Sequence, residues 1–553
     1  MKLTGLLFAA ALLGTCTQPA AEENYTRHVD PKIGTGGHGH VFVGANVPFG
    51  LVQVGPTSIP QTWDWCSGYH ASDSTVIGFS HTHLSGTGIG DLFDVTVMPV
   101  TGEVTYARGT EDDPTSGLWS YADRTQEIAR PGYYSVPLTR YGIRAELTAT
   151  ARVGLHRYTF PASDAAAVVF DLENGGCWDK ATETHLAKEG DRTVTGWRHS
   201  TGWAKDQRVY FAAEFSKPFE KFETIGDNYA RASFRTTDGE QVSLKVALSP
   251  VSIEGAKANL AAELPGWDFE ETAKAADKAW NDELSKVKIE TADETARRIF
   301  YTALYHTMIA PSLFCDVNGD YYGSDHAIHR NADFTNYTTF SLWDTYRAAM
   351  PLMTVLHPEK MADIVQTMLH ISDEQGRLPV WHLWGNETDC MVGNPGIVAV
   401  ADAIVKGIGG FDREKAFEAI RKTAMNPDRG NGLRMEYGYI PCEMFNEAVA
   451  YDMEYALADG AAARAAEALG KAEDAKYFEE RSHSYRNYFD PATRFMRGRD
   501  SKKGWRTPFN AFASTHRADD YCEGNAWQYT WLAPHDVKGL EGLFGSRAKM
   551  IEK

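Results

Sequence analysis

The sequence is poor in cysteine, with 7 among 553 residues, and no two of them form a CxxC pair, so a zinc cluster is not expected. There is no GxxxxGK[ST] stretch, and the glycines of Gly34-Thr35-Gly36-Gly37-His38-Gly39-His40 precede no clear strand-to-helix turn, so a nucleotide cradle is not expected either. No apolar run past residue 22 approaches the 18 or so residues that suggest a membrane-spanning helix. A basic stripe is also missing. With Lys+Arg 55 against Asp+Glu 74 the formal charge is -19, which argues against nucleic acid as a partner. What remains is a large, acidic, globular chain. Its 43% hydrophobic residues can bury a substantial core, and its 12% aromatics suit both a core and the stacking of sugar rings.

The first 22 residues place one Lys before the apolar stretch Leu6 to Leu13, the shape of a secretory signal. Leu13-Gly14-Thr15-Cys16 resembles a bacterial lipobox, so the expectation is an exported protein of the periplasm or cell surface. Membrane attachment would then be only through a lipid on Cys16. An oxidising compartment permits disulfides among the other six cysteines, but sequence alone does not pair them.

From residue 23 to 265 short alternating segments such as Asp94 to Val100 and Val209 to Phe215 are divided by turn residues, which predicts a β-sandwich. Residues 266–290 carry helical spacing with alternating charge and read as a linker helix. Residues 291–553 read as successive helices: Asp293 to Leu313, Leu342 to Val355, Pro358 to Glu374, Gly396 to Ile408, Arg413 to Thr423, Glu443 to Ala458, Gly460 to Gly470 and Ala472 to Tyr488, with shorter ones after Trp527. Paired helices with short loops suggest an (α/α)6 toroid, although roughly nine or ten of its twelve helices can be counted.

Three segments concentrate possible chemistry. Tyr521 to Tyr529 sets Glu523 beside Trp and Tyr, a partly apolar setting that would suit a general acid, though a Glu at a helix start has an ordinary electrostatic reason to be there. Ser341 to Arg347 pairs Trp343 with Asp344, a stacking platform beside a bidentate acceptor, or simply a capping Asp. Leu378 to Met391 holds two Trp, a His, Asn386 and Glu387 in one loop. His38, His40, His81 and His83 form two HxH pairs, read as hydrogen-bonded structural histidines ahead of metal ligands. Asp316 to Asp320 lacks the Gly and Glu of a calcium loop and reads as a hairpin turn through Asn318-Gly319.

Taken in order, GTGGHGH from Gly34, PFG from Pro48, CSGYH from Cys66, GFSHTHLSG from Gly78, SLWDTYRA from Ser341, GNETDCM from Gly385 and EGNAWQYTWLAPHD from Glu523 resemble glycoside hydrolase family 92, bacterial calcium-dependent exo-α-mannosidases. The resemblance covers the chain from about Asn24 onward. It implies a sandwich packed on an (α/α)6 domain and removal of terminal α-linked mannose from glycans with inversion. Glu523 matches the residue that protonates the leaving oxygen. Trp343 and Asp344 match those holding the mannose, Trp65 and His81 lie in sandwich loops that close the subsite, and Asn386 and Glu387 belong to a loop lining it. The family's base aspartates and main calcium stretch follow the EGNAWQY motif, and neither occurs in this sequence. The resemblance therefore places the Ca2+ ligands and the base beyond Lys553 and makes the chain an incomplete copy, its toroid open. The alternative from another class is a glycan-binding surface lipoprotein without catalysis. A sandwich-plus-toroid phosphorylase is a third.

Overall fold

The computed structural model describes residues 23–553 apart from Pro114. The signal segment and Cys16 lie outside the described residues. Two antiparallel sheets face each other across residues 55–249. One has six strands in the order Gly55–Thr57, Gly78–Ser80, Thr96–Thr101, Ser163–Asp171, Tyr229–Thr236, Lys221–Ile225. The other has eight, running Lys180–Glu189, Thr193–Thr201, Gln207–Phe215, Glu240–Ser249, Val153–Phe160, Ile143–Ala149, Tyr133–Leu138, Ile128–Arg130. Alternation explains the sandwich: in Ile143–Ala149 the residues Ile143, Ala145 and Leu147 are buried while Arg144 and Glu146 are not. Phe170, Phe211 and Phe215 meet between the sheets, Phe170 stacking on Phe211 at 6.0 Å.

The last sandwich strand ends at Ser249, so the domain stops short of residue 265. Residues Ile253–Glu263 are helical, started by Ser252, whose side chain accepts from the Gly255 N–H. The linker thus contains two helices, the second being Phe269–Leu284. Trp280 on that helix is fully buried and donates its indole N–H to the Asn46 carbonyl at 2.7 Å, fastening the linker to the sandwich.

The helical domain packs around Ala448–Ala468, a helix whose residues are mostly buried and which contacts Pro395–Val405, Arg413–Ala424 and Ala472–Arg481. Three expectations need correction here. Gly460 does not separate helices: it lies inside this one, where the His535 ring passes 3.1 Å from the position a Cβ would take. The expected helix from Leu342 to Val355 is two pieces, Leu342–Thr345 and Ala349–Leu356, interrupted where Tyr346 and Arg347 turn toward Glu454. Likewise residues 443–447 are not helical.

The two domains interlock near residue 206. Asn386 brackets the Asp206 backbone, accepting its N–H at 3.0 Å and donating to its carbonyl at 2.9 Å. Tyr322 donates to the Asp206 carboxylate at 3.0 Å, and Trp203 meets Trp381 edge to face at 5.6 Å.

Candidate active site

Glu523 stands on a turn secured at both ends. Asn525 caps the short helix Ala526–Tyr529, accepting the Trp527 N–H at 3.0 Å, while Gln528 accepts the Asn525 N–H at 2.7 Å, a reciprocal capping box. Tyr529 donates to the Cys522 carbonyl at 2.8 Å and Tyr521 to the Met496 carbonyl at 2.6 Å. Between these anchors Glu523 takes φ 45°, a left-handed conformation uncommon for a residue with a side chain and one that collects at functional sites. The turn leaves Glu523 exposed, rather than in the partly apolar setting expected of it.

Trp343 is positioned by a residue that the sequence reading missed. Glu454, buried in the long helix, accepts from the Trp343 indole at 3.0 Å, the Tyr346 hydroxyl at 2.8 Å and the Arg347 guanidinium at 2.8 Å. Burial pushes the Glu454 carboxyl above its usual range, and the Arg347 charge opposes the shift. Asp344 is exposed and accepts from its own capping-position neighbour Ser341. A pocket of about 220 Å³ lies between Trp343, Arg347, Glu523, Gln528 and Leu532. A second hollow, a cleft of about 700 Å³, draws on both domains, with Trp203 and Lys205 from the sandwich and Cys390, Glu447, Tyr451 and Arg517 from the helical domain. Glu523 and Cys522 line both hollows, so the two share a wall there. Nothing in the local pattern of Trp203, Lys205 or Arg517 marked them beforehand. Glu447 and Glu454 had one faint signal, acidic side chains in a segment otherwise dominated by Ala and aromatics.

Four expected contacts are used otherwise. His81 is fully buried in the sandwich, its Nδ1 on the Val95 carbonyl at 2.6 Å and its Nε2 on His156 at 2.9 Å, and burial lowers its pKa to about 3. His83, lowered to about 4 by burial, binds the Gln53 carbonyl at 2.7 Å. These two rings are structural histidines, as the preferred reading of the HxH pairs had it. Asn386 spends its amide on Asp206 and on the Trp384 carbonyl at 2.8 Å. Glu387 accepts the backbone N–H groups of Val380, Trp381 and Asp389 at 2.8, 2.9 and 3.0 Å, holding its own loop in shape. Trp65 lines neither hollow: it stacks on His70 at 4.4 Å and donates to Asp73 at 2.7 Å. For His81, Asn386 and Glu387 the physical reason is shared. Polar groups in a connection must first satisfy buried backbone, and these side chains are the donors and acceptors that do so.

Among the described residues one group of His, Asp and Glu has ligand atoms within 4.8 Å of one another: Asp325, His329 and Glu374. It does not fit calcium, which takes six to eight oxygens, because one of its three donors is an imidazole nitrogen. Glu374 is already engaged by the Tyr321 hydroxyl at 2.9 Å and the Ser324 N–H at 2.7 Å. The group lies on neither hollow. Asp316 to Asp320 is a turn, with the Asp316 N–H on the Asp320 carbonyl at 2.9 Å and Gly319 at φ 83°.

Comparison with known proteins follows the same division into domains. Residues 28–249 match the glycosyl hydrolase family 92 N-terminal domain and residues 255–553 the glycosyl hydrolase family 92 catalytic domain. An α-mannosidase of family 92 from Bacteroides thetaiotaomicron, solved in complex with mannoimidazole, superposes with a TM-score of 0.91 at 39% identity, over 96% of this chain and 74% of that one. An inverting mannosidase of the family from the same organism gives 0.87 at 29% identity, over 96% and 73%. A protein described as an uncharacterized secreted glycosidase of Arthroderma benhamiae is 26% identical over 609 residues, 96% of this chain and 74% of its own length. With both halves matched and a solved relative at 39% identity across nearly the whole chain, this protein belongs to glycosyl hydrolase family 92.

Proposed function

We propose that the cleft takes a terminal α-linked mannose and that Glu523 is the general acid which protonates the glycosidic oxygen as an inverting exo-α-mannosidase expels its leaving group. The observation that carries this is that Glu523 lines both a pocket of about 220 Å³ beside Trp343 and a two-domain cleft of about 700 Å³. A glycosidic oxygen lies between a terminal sugar and the rest of its chain, and a residue shared by a small and a large hollow is placed to reach such an atom. Trp343, its indole held by Glu454, offers a fixed edge to the smaller pocket, and Arg347 brings donors for sugar hydroxyls. Asp344, which follows Trp343 in the chain and is exposed but lines neither hollow, is the proposed acceptor for two adjacent hydroxyls. The family's solved members named mannosidases, one of them bound to mannoimidazole, support mannose as the sugar.

Inversion also needs a second carboxylate, about 6.5–9.5 Å from the acid, to activate water on the opposite face of the ring. The family's base motif has no counterpart in this sequence, so the proposal assigns binding and protonation, but not water activation, to the residues named above. Calcium, implied by the family resemblance, is assigned no ligands among them. Export through the first 22 residues, with a lipid on Cys16, accompanies the reading; the secreted description of the Arthroderma protein supports the export alone.

The test is calorimetry with methyl α-mannoside and α-mannobiose, joined to NMR detection of released mannose and its anomeric form. Binding of both sugars is expected, and any mannose released by the wild type should appear first as the β-anomer and vanish in Glu523→Gln. A folded protein that binds neither sugar refutes the proposal. Binding without release favours the glycan-binding alternative for this chain.

A further inference from the structure

Glu447 occupies the position before the long helix Ala448–Ala468, where a short polar side chain such as Asp or Ser ordinarily caps the free N–H groups of the first turn. It does not do so: its side chain makes no capping bond. Its backbone sits at φ 55°, a second left-handed acidic residue in this site, held by its N–H to the Asp519 carbonyl at 2.7 Å. That contact ties it to the segment that ends in Glu523. The residue is 8% exposed, and its Oε1 is buried without any hydrogen-bond partner. Yet Glu447 forms part of the wall of the 700 Å³ cleft, which Glu523 also lines and Trp343 does not. A buried carboxylate oxygen lacking a partner and a strained backbone each cost free energy. Burial also pushes the Glu447 carboxyl up from its usual range, opposed by the neighbouring Cys522 thiol and by the charges of Arg517 and His516.

We infer that Glu447 is a specificity-determining residue whose missing partner is a hydroxyl of the sugar on the leaving-group side of the scissile bond. The terminal torsion of a Glu side chain is soft, so either oxygen can be turned to the cleft without disturbing the backbone. This rests on the mannosidase reading, which places the terminal mannose in the smaller pocket and the next sugar in the cleft.

The inference is tested on the 553-residue chain by calorimetry with methyl α-mannoside, which fills only the terminal position, and α-mannobiose, which extends into the cleft. Glu447→Ala should weaken α-mannobiose about ten- to hundredfold while leaving methyl α-mannoside within about twofold of wild type, the size expected for one hydrogen bond to a charged group. Glu447→Gln, which keeps an acceptor of the same shape, should recover part of the loss. Equal affinity of both variants and wild type for α-mannobiose overturns the inference. So does an equal loss for both sugars accompanied by a fall in melting temperature, since that is a structural role. Wild type that binds neither sugar overturns the mannosidase reading as well, which separates the two failures.

Discussion

Glu454→Ala should disable the smaller pocket without touching any residue on its surface. Glu454 is buried, and its two oxygens collect the Trp343 indole, the Tyr346 hydroxyl and the Arg347 guanidinium within 3.0 Å. Removing the carboxyl orphans three donors. Tyr346 is itself buried, and a buried donor left unsatisfied costs about 1–3 kcal/mol. Trp343 is half-buried and should cost less. The Arg347 side chain is 40% exposed and recovers most of its loss from water, so it adds little. Against these losses stands the relief of removing a buried carboxyl that burial already disfavours in its charged form. The balance is a destabilisation of about 2–4 kcal/mol, read as a lowered urea midpoint by far-ultraviolet circular dichroism. Glu454→Gln, which keeps the volume and one acceptor oxygen, should lose about half as much. In that milder variant, which stays folded, the affinity for methyl α-mannoside should still fall, because the indole and guanidinium are no longer fixed. If Glu454→Ala lies within about 0.5 kcal/mol of wild type and Glu454→Gln binds the sugar unchanged, Glu454 does not organise the site and the reasoning fails.

Arg198 lies between Asp94 and Asp179 at the end of the sandwich, all three side chains at 0% exposure, so Arg198→Met strands two buried carboxylates and should cost about 3–5 kcal/mol, measured by thermal denaturation. Asp316 accepts from Ser249 and Asn259 at 2.8 Å each, and burial raises its pKa to about 6. Because the folded value exceeds the unfolded one, this group's stabilisation is full below about pH 4 and is lost as pH rises toward 6. Asp316→Asn should flatten that part of the stability profile, and an unchanged slope between pH 4 and 6 would contradict the assignment. The Cys66 and Cys177 thiols are near enough to perturb each other's ionisation, and Cys177 donates to the Thr62 carbonyl at 3.6 Å. Oxidation of the folded protein should join them, and peptide mapping after native oxidation and alkylation that finds both thiols still free would exclude the pair.

The elements that were legible in the sequence owe their form to one-dimensional pattern. Strands such as Ile143–Ala149 alternate buried and exposed residues because of the pleat, and helices such as Pro358–Gln375 and Arg413–Ala424 have Pro at N1 or a capping Asp at the start, so their bounds were read to within two residues. Gly460 was read as a break because glycine weakens an isolated helix, but the approach of His535 is a tertiary demand invisible along the chain. The same distinction runs through the candidate site. Motif order supplied Glu523 and Trp343, and both lie on the hollows. It also supplied Asn386 and His81, whose chemistry is as suited to a sugar as that of any residue retained, yet whose atoms are consumed by Asp206 and His156. A residue type shows what a side chain is able to bind, whereas only the fold shows whether its partners are already present. By that criterion Glu447, unremarkable in sequence and left with an unpartnered oxygen beside the cleft, has a stronger claim on the substrate than Asn386, whose oxygen and nitrogen are all engaged.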